Sequence, residues 1–128
     1  MAKKKKNSKL TGAQIEVMNV VWQHGHATVA QVWEALKEEK NLARNTIQTT
    51  LVRLEQKGYL RHRKKGNAFV YYPTDERSNT LRSMLKNLVN VAFEGSTAGM
   101  VMTLLEDETL SDEDVKRIQA ILDANRKK

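Results

Sequence analysis

The chain has 128 residues, 40% of them hydrophobic and 29% charged, which fits one globular domain or one domain with an appendage and a modest core. It has no cysteine, so disulfides, thiolate metal sites and cysteine nucleophiles are excluded, and no apolar run approaches the roughly 20 residues that span a bilayer, so membrane insertion is not expected. The net charge of +7 is uneven: residues 1–73 hold 14 Lys plus Arg against 5 Asp plus Glu, net +9, while residues 74–128 hold 8 against 10, net −2, so only the front part is expected to meet a polyanion.

Lys3 to Lys6 and Lys9 form a basic arm with nothing to pack, so residues 1–9 are read as disordered, either a solubilising tail or a phosphate-contacting arm. The arm lacks an apolar stretch and a small-residue cleavage site, so no secretory signal is read and a cytoplasmic location is expected. Leu10, Thr11, Gln14 and Ile15 combine a capping box with a hydrophobic staple, predicting a helix from about Gly12 to Gln23 that buries Ile15, Met18, Val21 and Trp22 and stops at Gly25. Thr28 and Gln31 repeat the box ahead of Val29, Val32, Trp33 and Leu36, an amphipathic second helix.

A short linker leads to Arg44–Gly58, where Ile47, Leu51 and Leu54 fall on one helical stripe. Arg44, Asn45, Thr46, Gln48, Thr49 and Arg53 lie off that stripe, and Arg, Asn, Gln and Thr are the side chains that reach base edges and phosphates in a DNA major groove. Taken alone the segment also reads as a solvated amphipathic helix. Its place after two capped helices is the helix-turn-helix layout, in which this third helix is the recognition element.

Past Gly58 the period changes to two. Tyr59–Lys64 and Ala68–Tyr72, separated by Lys65, Gly66 and Asn67 and closed by Pro73, predict a β-hairpin, hence a winged helix over residues 10–73. Arg61, Arg63, Lys64, Lys65 and Asn67 are its candidate DNA-contacting residues, although Lys on a hairpin also blunts a sheet edge.

Residues 74–128 read as three helices. Leu81, Met84, Leu85, Leu88, Val89 and Ala92 stripe the first, Met100, Val101, Leu104 and Leu105 the second, and Val115, Ile118, Ile121 and Leu122 the third, which opens at Ser111 with Asp112, Glu113 and Asp114. About 50 residues split this way make a poor core alone, so these stripes need a partner, either the front domain or, more economically, a second copy in a homodimer. The fold class is thus mainly α (α+β), a winged helix-turn-helix followed by a three-helix dimerisation region.

No phosphate loop, nucleophile elbow or metal-spaced cluster is present; His24, His26 and His62 have no Cys or paired acid beside them. Neither an enzyme nor a metal or cofactor site nor a small-molecule substrate is expected. Two rivals are a winged-helix protein-interaction module, disfavoured by the basic front part, and an RNA-binding adaptor, disfavoured by a lack of exposed aromatics on which single-stranded bases could stack.

The segments LTGAQIEVMNVVW (Leu10–Trp22), ATVAQVWEAL (Ala27–Leu36), TIQTTLVRLEQKGYL (Thr46–Leu60), FVYYP (Phe69–Pro73) and LSDEDV (Leu110–Val115) together make the chain resemble the BlaI/MecI group of penicillinase and methicillin-resistance repressors. The resemblance implies a homodimeric repressor on a palindromic double-stranded operator, released through a membrane sensor protease. It matches the recognition helix to Arg44–Lys57 and the wing to Arg61–Tyr72. Three features depart from the pattern: Ala43 stands where relatives often place a Ser N-cap, Thr103 and Leu104 stand at the Asn-Phe bond cleaved in penicillin-responsive members, and the cysteine motif of copper-responsive relatives is absent.

Overall fold

The computed structural model describes residues 9–126. Three helices come first, α1 (Gly12–His24), α2 (Val29–Lys40) and α3 (Arg44–Gln56), then strands β1 (Leu60–Lys65) and β2 (Ala68–Pro73), then α4 (Arg77–Ala92), α5 (Thr97–Leu105) and α6 (Asp112–Arg126).

Both expected capping boxes form. Thr11 Oγ1 accepts from the Gln14 amide at 3.1 Å while Gln14 Oε1 accepts from the Thr11 amide at 3.0 Å, and Thr28 and Gln31 do the same at 3.1 and 2.9 Å. Each box satisfies two of the amides that a helix start leaves unpaired. Gly25 at φ 81 stops α1. At the far end of α3, the Gly58 amide donates to Glu55 O at 3.0 Å and the Tyr59 amide to Leu54 O at 2.9 Å, with Gly58 at φ 92. That is a Schellman ending: the left-handed residue is glycine, and the buried pair Leu54 and Tyr59 fixes the angle at which the chain leaves for β1.

β1 and β2 pair antiparallel from Leu60↔Pro73 to Lys65↔Ala68. Lys65 therefore belongs to the strand, and the turn is the two residues Gly66 and Asn67, with Gly66 at φ 59 where a II′ turn places glycine. Ala27, between α1 and α2, adds a bridge: its amide donates to Tyr71 O at 2.9 Å and the Tyr71 amide to Ala27 O at 2.8 Å.

The core lies where these elements meet. Ile47, Leu51 and Leu54 are each 0% exposed and pack with Val17, Met18, Val21, Val32, Leu60 and Tyr71. α1 packs against α2, α3 and β2, so its buried arc is wider than one stripe. Val17 and Val20 are buried along with Met18 and Val21, while Ile15 and Trp22, both expected inside, are half-buried. Gln14 is buried too, its Oε1 taking the Thr11 amide and the Lys57 ammonium at 2.9 Å.

The chain divides into two compact units inside α4, one ending at Met84 and the other beginning at Leu85. In the second, the turn after α4 holds Glu94 (φ 50) and Gly95 (φ 87), Ser96 caps α5 with its Oγ accepting from the Gly99 amide at 2.8 Å, and Ser111 Oγ accepts from the Asp114 amide at 3.1 Å to open α6. Val89 and Met100 are its buried residues among those described. No single helix among the described residues is long and apolar enough to cross a membrane.

Candidate nucleic-acid interface

Burial of Ile47, Leu51 and Leu54 fixes the rotation of α3, and everything on its far side follows from that. Asn45, Gln48, Thr49, Val52, Arg53 and Gln56 line an open groove of about 480 Å³ along the outer face. Two of these were missed by sequence reasoning. Val52 is 39% exposed and Gln56 exposed, and the signal for both was positional: 45, 49, 52 and 56 follow helical spacing opposite the core stripe.

A second groove, about 370 Å³, lies between the start of α2, the first turn of α3 and the hairpin; Arg44, Gln48, Asn67 and Phe69 are among its walls. Arg44 sits at the edge of α3, its guanidinium 5.4 Å from the Trp33 ring centroid, and the Lys37 ammonium lies 4.8 Å from the same ring. Trp33, half-buried on α2, thus holds two cations beside the groove. Thr46 is exposed, and its carbonyl accepts from Thr50 Oγ1 at 2.7 Å. Ala43 precedes α3 in extended conformation with no side-chain cap bond, so the first amides of the helix lack that partner.

The pleat splits the candidate wing residues between two faces. Arg61, Arg63 and Lys65 point one way with Tyr72, and Arg63 lies 5.7 Å from the Tyr72 ring; Lys64 points the other way with His62 and Phe69. Asn67 is in the turn. All five candidates, Lys64 and Lys65 near the tip included, are exposed.

One expectation is corrected here. Phe69 is 46% exposed and stacks on His62, with ring centroids 4.5 Å apart, so the hairpin does carry exposed aromatic surface. The expected lack of exposed aromatics fails at this residue: Phe69 shares the strand face of buried Tyr71 but lies nearer the turn, beyond the edge of the core.

The histidines have structural partners: His24 Nδ1 is 2.9 Å from Val20 O, His26 lies against Tyr72, and His62 Nδ1 is 2.7 Å from Glu55 Oε1. Among the described residues no group of three or more His, Cys, Asp or Glu could hold a metal ion. Burial pushes the Tyr71 phenol above its ordinary range, and the nearby Glu55 carboxylate adds to the effect. On the far side of α2, the hydrogen bond from Lys40 to Glu16 raises the Lys40 ammonium.

The stripes expected to pair two chains fall on both sides of the division inside α4. Leu81 and Met84 are half-buried in the first unit; in the second, Leu85, Leu88, Val101, Leu104, Val115 and Leu122 are exposed, Ile118 is half-buried, and Val89 and Met100 are buried. Thr103 and Leu104 lie inside α5, with Thr103 Oγ1 donating to Gly99 O at 2.8 Å. Lys3 to Lys6 of the arm lie outside the described residues; Lys9, at its end, accepts through its carbonyl from Lys57 Nζ at 2.7 Å.

The model of the penicillinase repressor family matches residues 10–124. The chain belongs to that family. Among its relatives, a penicillinase repressor of Bacillus licheniformis is 35% identical over 97% of this chain and 98% of its own length. Two solved structures are similar to part of the chain: the DNA-binding domain of the repressor BlaI, 37% identical over 61% of this chain and 93% of that one with a TM-score of 0.53, and the monomeric form of Bacillus licheniformis BlaI in complex with the blaP half-operator, 39% identical over 59% and 92% with a TM-score of 0.50. Penicillinase repressors are transcriptional regulators, a class without catalytic activity, and their winged-helix DNA-binding domain corresponds to the helices and hairpin described here.

Proposed function

We propose that this penicillinase-family repressor binds double-stranded operator DNA as a homodimer, with residues 10–73 reading the duplex and residues 74–128 pairing two copies. The observation that carries the reading is the rotation of α3. With its apolar stripe wholly inside, Asn45, Gln48, Thr49 and Arg53 share one open groove, and a hairpin bearing Arg61, Arg63, Lys64, Lys65 and Asn67 stands beside it. Asn and Gln are suited to adenine edges, Arg to guanine and Thr to a thymine methyl, while the lysines of the wing are suited to phosphates. Thr46 and Arg44 flank the start of the helix, where an adjacent phosphate would meet the uncapped amides.

One α3 reads few base pairs, so two copies on successive major-groove faces, about 34–36 Å apart, supply the remaining specificity on a palindromic operator. Repression is steric, by occupation of a promoter. Release comes through a membrane sensor protease, and the Thr103–Leu104 region is the candidate cleavage segment. Because it is helical, cutting there requires α5 to open first.

Gel shifts of DNA from its own promoter and of random duplex over a series of salt concentrations test the reading. Gln48→Ala or Thr49→Ala is expected to weaken promoter binding by about 1–3 kcal/mol and leave random-duplex binding nearly intact. Equal loss on both DNAs refutes base readout, and no duplex binding at any salt would return the protein-interaction and RNA-adaptor readings.

A further inference from the structure

The hairpin leaves α3 through a single short joint, Lys57–Tyr59, and its root is held by buried Tyr59, Leu60 and Tyr71. From Arg61 to Phe69 every residue is exposed, so nothing in the core fixes the direction of the outer hairpin. One side chain beyond the root reaches back. His62 Nδ1 lies 2.7 and 2.8 Å from the two carboxylate oxygens of Glu55 on α3. A carboxylate only accepts, so Nδ1 carries a proton in either charge state of the ring and the link is a hydrogen bond throughout. The same ring stacks on Phe69 at 4.5 Å with 30° between planes, and meets Tyr71 at 5.7 Å, tilted by 47°. Tyr71 is in turn bonded through its backbone to Ala27.

We propose that His62 is a positioning residue of the nucleic-acid interface: clamped between Glu55 of α3 and Phe69 of β2, it braces the wing against α3 and sets the width of the groove between them. The inference rests on the reading of α3 and the wing as the DNA-facing elements. Phe69 shares that groove with Arg44, Gln48 and Asn67, so any swing of the hairpin alters where Asn67 and Lys65 stand when α3 is seated. With the brace in place the tip is presented before binding. Without it, part of the affinity is spent on ordering the hairpin, and a phosphate contact at Lys65 is made only part of the time.

The test is a set of full-length variants titrated with random-sequence duplex over several salt concentrations: Lys65→Ala in the wild-type, His62→Ala, Glu55→Ala and His62→Gln backgrounds. In the wild-type background Lys65→Ala is expected to lower the salt slope by about 1, as loss of one phosphate contact does. In His62→Ala and Glu55→Ala that change should be at most half as large, while His62→Gln, which keeps a donor toward Glu55, should recover most of it. Glu55→Ala covers the case in which His62→Ala folds poorly, because Ala is the strongest helix former and the site is on the helix surface. Glu55→Ala also removes a negative charge, so the readout is the size of the Lys65 effect and not the absolute affinity. A Lys65 effect of undiminished size in both backgrounds overturns the brace. So does a diminished effect that follows a matching loss of melting temperature. If Lys65→Ala changes nothing in the wild-type chain, the wing reading itself fails and the brace falls with it, a failure visible in that first comparison alone.

Discussion

Ala43 is the residue at which the interface departs furthest from good local chemistry. It holds the extended conformation of an N-cap, φ −73 and ψ 152, yet has no side-chain oxygen to offer the first amides of the helix; the Thr46 amide bonds to the Ala43 carbonyl at 3.1 Å. Ala43→Ser is expected to raise folding stability by about 1 kcal/mol, read as a shift in the urea midpoint at constant slope. If the uncapped amides serve a phosphate, the same change weakens duplex binding, because the serine oxygen competes for them. The polar residues of α3 were readable from type and spacing. Val52 was passed over because its type is apolar, although its spacing from Asn45 and Thr49 already sets it opposite the core stripe, where it lines the outer groove.

Among the elements, α3 carries both jobs, with its inner stripe in the core and its outer stripe in the groove. Leu54 is 0% exposed and closes the Schellman ending with Tyr59, so Leu54→Ala should cost about 2–5 kcal/mol and loosen the departure of the hairpin; chemical denaturation reads the first effect. An unchanged midpoint would mean that the core does not depend on this end of the helix. The capping boxes of α1 and α2 were legible because Thr and Gln at a three-residue spacing satisfy each other locally. The Ala27 bridge to Tyr71 was not, since one residue pair has no period, and the pairing depends on where α1 and β2 are brought by packing. The length of the turn was misjudged by one residue for a related reason: Lys65 carries no strand signal of its own and is drawn into β1 by Ala68 opposite it.

At the scale of the molecule, the second unit leaves much of its apolar surface uncovered. Leu88 is 46% exposed, Val91 67% and Ile121 68%, in a unit whose buried residues among those described are Val89 and Met100. If this surface pairs two copies, Leu88→Glu places an unpaired charge in the interface and weakens the dimer at least about 100-fold, the loss expected when an uncompensated buried charge costs about 3–5 kcal/mol. Sedimentation equilibrium reads the shift. Because Leu88 is exposed in the single chain, helix content should be unchanged; an unaltered dimer constant would remove this part of α4 from the interface. Side-chain type and short-range spacing suffice for the order of elements, the capping boxes of α1 and α2, the buried stripe of α3 and the basic front part. That Phe69 stays outside while Tyr71 goes in, and that Glu55 and His62 meet, came from the packed molecule alone, because both depend on the angle between elements, which no local period encodes.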